Sequence, residues 1–99
     1  MTDDDDIDFE WSLRKADSNF AKHGVKFEDA TYVFDDPFRL DETDHFSRDE
    51  YRSICIGKVD GVVLTVVYSE PKESVVRIIS ARAATAHERK RYDSSVFHP

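Results

Sequence analysis

Two hydrophobic periods divide the chain. Up to about residue 34 apolar side chains recur at helical spacing, whereas from Tyr51 to Arg82 they form β-rich runs broken by turn residues. Ser12 is placed to cap a helix on which Leu13, Ala16, Phe20 and His23 share a side, and Gly24 supplies the left-handed stop. A second short helix is expected at about 27–34, with Phe27, Ala30 and Phe34 on one side. Pro37 ends it and pushes Asp36 out of helical dihedrals. "IDFEW" (7–11) reads as a short edge strand. Residues 38–50, "FRLDETDHFSRDE", are polar and weakly patterned, which suggests a short strand near 38–41 and then a mobile loop.

The later signal is plainer. Strands are expected near 51–59, 62–69 and 75–82. Asp60-Gly61 between two β-rich runs predicts a type I′ hairpin, because that turn needs positive φ at both central residues. "EPKES" makes a looser turn before the third strand. Thr85-Ala86-His87-Glu88 then fits the capping box that opens a helix. The order implies an α+β fold: two N-terminal helices, an antiparallel β-meander and a C-terminal helix, with the helices on one sheet face. One domain, 7–93, is expected between a disordered acidic tail (1–6) and a C-terminal tail (94–99); no repeat is visible.

Composition narrows the class. Ninety-nine residues support one core, and 39% apolar against 35% charged positions makes it globular with a polar surface. The lone Cys55 excludes an intrachain disulfide and fits a reducing compartment. No basic and apolar leader opens the chain, and the run around Val62–Val67 is too short to span a bilayer, so a cytoplasmic location is expected. Charge adds a question. From Arg77 to Tyr92 five bases and one acid carry +4 in a chain of net −7, leaving −11 for the other residues. Such segregation marks an anionic partner or a solvated basic helix.

Several motifs together resemble a known family. "FEW", "KHGVKFEDA" (22–30), "DP" (36–37), "E-x-R" ending at Arg52, "IG" (56–57), "VVY" (66–68) and "RIISAR" running into "ER…Y" (77–92) are similar to the BrnT toxins of bacterial type II toxin–antitoxin modules. The resemblance covers about residues 7–92, in order. It implies a RelE-like ribonuclease fold, RNA as substrate, and neutralisation by a BrnA-type antitoxin that also binds operator DNA. The chain departs from the family pattern at Lys26, where Ser is frequent, and at Pro71 and Ala83, where bases are common. The last two changes remove positive charge near the expected site. A weakly active or inactive relative, serving as an antitoxin-binding or RNA-binding module, is the competing reading.

Cleavage of RNA by its own 2′-hydroxyl needs a proton acceptor, cations around the crowded phosphate, and an acid for the leaving oxygen. Guanidinium suits the middle task, being permanently charged and forked. Arg82 is the first candidate. Arg77 lies five residues away, hence on the opposite strand face unless the strand ends or bulges between them. It reads equally as an exposed ion-pair partner. His23 with Lys22 offers a titratable group beside a fixed charge at a helix end, or simply a helix cap. Tyr92 is a catalytic aromatic or a ring packing the helix onto the sheet. Glu50 and Arg52 share one strand face, as substrate contacts or as an ion pair. Arg89, Lys90 and Arg91 surround a helix, so not all three can face one phosphate; Arg89 is taken as the substrate contact. His87 is a possible neutral base, though a solvated position is its ordinary fate. No metal-ligand spacing and no glycine-rich phosphate loop occurs, so no cofactor is expected. Homo-oligomerisation is left open.

Overall fold

A computed structural model describes residues 6–47 and 50–97, the side chains of 44–47 excepted. The expected disordered tail falls mostly on residues 1–5, outside the described residues, as do 98 and 99. The elements are β1 (Asp8–Glu10), α1 (Leu13–His23), α2 (Phe27–Ala30) running into a 3-10 helix (Thr31–Asp35), β2 (Leu40–Ser47), β3 (Glu50–Val59), β4 (Val62–Lys72), β5 (Val75–Ala83) and α3 (Ala86–Phe97). This is an α+β fold on a five-stranded sheet of order β1-β5-β4-β3-β2. Strands β2 to β5 form the antiparallel meander, and β1 adds to β5 in parallel, with Asp8 opposite Val75.

Local signals formed as their chemistry requires. Ser12 Oγ accepts from Lys15 N at 3.3 Å, and Gly24 closes α1 with φ 69°. Asp60 and Gly61 take φ 49° and 83°, the pair of positive angles that a type I′ hairpin demands. Thr85 and Glu88 complete the capping box reciprocally, with Thr85 N donating to Glu88 Oε1 (2.8 Å) and Glu88 N to Thr85 Oγ1 (3.1 Å). Lys26 stands at the N-cap of α2 with no side-chain capping bond.

Four expectations are corrected. Residues 40–47 are a full strand paired with β3, because the hairpin partner supplies backbone bonds that a polar, weakly patterned segment does not announce. Helix α3 continues to Phe97, past the expected domain end at 93; Val96 packs in its core and Ser95 Oγ donates to Phe38 O (3.3 Å). The helices lie on both faces of the sheet. Phe27, Ala30, Val33 and Phe34 cover Cys55, Leu64, Val66, Tyr68, Val76 and Ile78 on one, while α3 brings Ala84, Tyr92 and Val96 to Leu40, Ile54, Ile56 and Val63 on the other. Gly57 permits the first packing, since a Cβ there would lie 3.0 Å from Val33 O and 3.1 Å from Val33 Cβ.

The fourth correction is α1. Its expected apolar side is largely exposed, Leu13 at 77% and Phe20 at 49%, while Asn19 is buried. The reason lies in the sheet. β1 covers β5 only from Val75 to Arg77, which leaves the next backbone groups of that edge without a strand. Asn19 substitutes for one: its Nδ2 donates to Ala81 O (2.8 Å) and its Oδ1 accepts from Ala81 N (3.0 Å). A buried backbone edge left unpaired is costly, and the carboxamide satisfies both groups at once.

Candidate active site

The decisive feature is an irregularity in β5. Val67 pairs with Ser80 but Tyr68 pairs with Ile78, so Ile79 is an extra residue, a β-bulge. The bulge restores the parity that a spacing of five would break. Arg77 lies opposite Ser69 and Arg82 opposite Thr65, and those β4 residues are four apart and share a face. Arg52, one step beyond the Ser53–Tyr68 pair, belongs to the same face. Glu50 does too, with Arg77 Nη1 3.8 Å from its Oε1. Four of the eight sequence candidates therefore meet on the face that α3 partly roofs. Between the rows of Arg77 and Arg82 runs a half-buried strip of Ile54, Val67 and Ser80.

Each guanidinium is differently held. Arg82 makes a forked pair with Glu88, Nη1 to Oε1 at 2.7 Å and Nη2 to Oε2 at 3.1 Å. Thr65 Oγ1 donates to the same Oε1 at 2.9 Å. The Arg82 pair is the largest cause holding the Glu88 carboxyl at about 2, with the Thr85 and Thr65 bonds assisting against burial. Arg77 puts Nε (2.8 Å) and Nη2 (2.7 Å) on Glu10 Oε2 in a more exposed pair. Arg52 Nε and Ser69 Oγ are both buried without a hydrogen-bond partner among the described residues, on neighbouring strands beneath the open half of the face.

The other candidates lie elsewhere. Tyr92 is buried one turn beyond Glu88 on α3, and its hydroxyl donates to Asp36 Oδ2 at 2.5 Å. Burial and that carboxylate raise its pKa, so the phenol is committed to packing and to Asp36 in this state. Asp36 also accepts from Lys58 N (2.8 Å) and Phe38 N (2.9 Å). Burial opposes its ionisation, but these bonds together hold its pKa below the ordinary value. The "DP" motif is thus a clamp joining β3, the turn and α3. Arg89 Nη1 donates to Ala84 O (2.9 Å). Lys22 and His23 are exposed in the last turn of α1, with no hydrogen bond or ion pair from their side chains among the described residues. The structure does not join them to the arginines.

The local +4, in which Glu88 already offsets its partner Arg82, is halved in three dimensions by Glu10 on Arg77 and by Glu42 of β2 on Arg91. Ser69 and Thr65 escaped sequence reasoning, for a lone hydroxyl in a strand carries no positional signal. Glu88 was legible as a cap but not as the partner of Arg82. Cys55 is fully buried, and desolvation pushes its thiol pKa up, so it is inert. Among the described residues no three His, Cys, Asp or Glu side chains are grouped to hold a metal ion, and no helix is long and apolar enough to cross a membrane.

A bulged five-stranded sheet carrying a row of arginines beside a helix opened by a capping box defines a small α+β protein. The family model described as the ribonuclease toxin, BrnT, of type II toxin–antitoxin systems matches residues 11–88, and the chain belongs to that family. The crystal structure of the Brucella abortus ribonuclease toxin BrnT superposes with a TM-score of 0.60 at 23% identity, covering 80% of this chain and 97% of that one. That likeness concerns the fold. No curated protein matches.

Proposed function

We propose that this chain is an endoribonuclease toxin that cleaves RNA without a metal ion, in the cytoplasm, and is neutralised by a BrnA-type antitoxin. The observation that carries the reading is the Ile79 bulge, which sets Arg77, Arg82 and Arg52 on one sheet face. The 2′-hydroxyl oxygen attacks phosphorus, the 5′-oxygen leaves, and a cyclic phosphate forms. Negative charge gathers on the non-bridging oxygens, where a pre-organised guanidinium lowers the barrier most. Arg82 takes that role, with Arg77 and Arg52 binding the flanking backbone and Glu50 orienting Arg77. His23 is the candidate proton carrier, with Lys22 beside it at the exposed end of α1. Tyr92 supports the site by seating α3, and Arg89 contacts the strand from the first turns of that helix. The antitoxin covers the groove at Arg82 and the start of α3.

A second reading has its own support. Both Arg77 and Arg82 already face carboxylates, as expected of a weak enzyme whose arginine face serves to dock the antitoxin. Cleavage of a synthetic single-stranded RNA by the purified chain separates the two. Arg82→Ala should lose about a hundred- to thousand-fold in rate with the fold intact. Arg82→Lys should recover little, since an ammonium lacks the fork. EDTA should leave cleavage unchanged, and His23→Ala should flatten one limb of the pH–rate profile. Full activity in Arg82→Ala, with contaminating nuclease excluded, would take the basic strand-to-helix junction out of the mechanism and make it an antitoxin-docking surface. No cleavage by the wild-type chain would leave the second reading.

A further inference from the structure

The Arg82 guanidinium has two edges able to grip a phosphate in a forked manner, and the structure uses only one. The end edge, Nη1 and Nη2, lies on the two oxygens of Glu88, and the second hydrogen of Nη1 points to Ala83 O at 3.4 Å. The side edge, Nε–H with the remaining N–H of Nη2, has no partner among the described residues. Five donors in a rigid plane make the two edges inseparable: fixing one aims the other. Glu88 is itself immobilised from three directions. Its Oε1 accepts from Arg82, from Thr65 Oγ1 on β4 and from Thr85 N at the start of α3. Thr65 is fully buried between Ile56 and Arg82 in the sheet register.

From this geometry we infer that Glu88 is a positioning residue, clamping Arg82 by its end edge so that the side edge stands ready for the RNA phosphate. The inference rests on the ribonuclease reading and deepens it. Arg77 makes the contrast, because its side edge is the one already taken by Glu10. A phosphate can take the side edge of Arg82 without displacing any carboxylate. On Arg77 that edge must first be given up by Glu10, and the end edge faces Glu50, with Nη1 3.8 Å from its Oε1. The capping box thus does two tasks, starting α3 and aiming a cation. With its carboxyl held at about 2, Glu88 is ionised near neutral pH, so it moves no proton itself.

The test is a double-mutant cycle read in cleavage kinetics on a short single-stranded RNA, using the purified full chain. Glu88→Gln keeps an acceptor for Thr65 and Thr85 but loses the charge and one arm of the fork. Its kcat should fall about ten- to a hundred-fold, the cost of a loosened catalytic group, with KM little changed and the limbs of the pH profile unmoved. In the Arg82→Ala background the same change should cost nothing further, because the effect runs through Arg82. Thr65→Val, which keeps the ion pair and core volume, should lower kcat in the same direction by less, and serves if Glu88→Gln fails to fold. An equal loss with and without Arg82 would make Glu88 merely structural and overturn the inference. So would a wild-type or faster rate in Glu88→Gln while Arg82→Ala is inactive, since the carboxylate would then only withhold the cation. Wild-type speed in Arg82→Ala would overturn the inference and leave cleavage to other residues, whereas no cleavage by the wild type would remove the ribonuclease reading along with it.

Discussion

One sheet face carries two differently built halves. Under α3 the roofed carboxylates and the buried hydroxyl have their partners: Asp36 accepts three hydrogen bonds, Glu88 accepts four, and Thr65 is buried with its hydroxyl donated. Beyond the roof the wiring is loose. Arg77 and Glu10 form a pair whose side chains are 44% and 45% exposed, and Arg52 Nε and Ser69 Oγ are buried with no hydrogen-bond partner among the described residues. A helix roof lowers the local dielectric, so each roofed polar group must be satisfied or cost the fold dearly. On the open half the exposed Arg77–Glu10 pair can exchange partners at little cost, while the two buried unbonded groups are a cost that the fold carries there. Rigidity and exchangeability are thus separated on one surface, as a site that holds one cation still while others change partners requires.

Stability measurements can break this contrast, taken from the largest expected effect downward. Asp36→Ala should cost about 3 kcal/mol in chemical denaturation, because three donors, including the buried Tyr92 hydroxyl, lose their acceptor. Glu88→Ala should cost about 2 kcal/mol through the lost cap and the unpaired guanidinium. Its pH dependence has a definite sign. A carboxyl held at about 2 against an ordinary 4.5 contributes fully above 4.5 and loses its contribution as pH falls towards 2. Glu88→Gln should therefore flatten the acid limb of the stability profile in that window.

On the open half, Glu10→Gln should cost about 0.5 kcal/mol or less, as exposed pairs do, while tightening RNA binding by freeing the phosphate-gripping edge of Arg77. Ser69→Ala should stay within about 0.5 kcal/mol of wild type, since it removes a hydroxyl that has no hydrogen-bond partner among the described residues. A Glu10→Gln cost exceeding that of Glu88→Ala would mean that the roof does not organise this face.

Much of the fold was legible from short stretches. Ser12, Gly24, Asp60-Gly61 and the Thr85–Glu88 box behaved as their side chains and φ preferences dictate. Strands β3, β4 and β5 began within a residue of expectation, although β4 continues to Lys72. The site was legible as residue types and not as an arrangement. Arg52, Arg77, Arg82 and Glu50 meet on one face, yet only the bulge at Ile79 puts Arg77 there. Tyr92 lay where its alternative reading placed it, inside the core with its hydroxyl on Asp36.

The division follows sequence distance. Caps, turns and strand periodicity are settled among residues within a few positions of one another, through backbone sterics and local hydrogen bonds, so the chain alone determined them. The partner of Arg77 is 67 positions away in Glu10, that of Tyr92 is 56 away in Asp36, and Asn19 mends a strand edge 62 residues distant. Such pairings depend on sheet order, on a one-residue bulge that reverses side-chain parity, and on which edge β1 leaves uncovered. Only the assembled tertiary structure decides them, because a single-residue slip in register turns every later side chain to the other face.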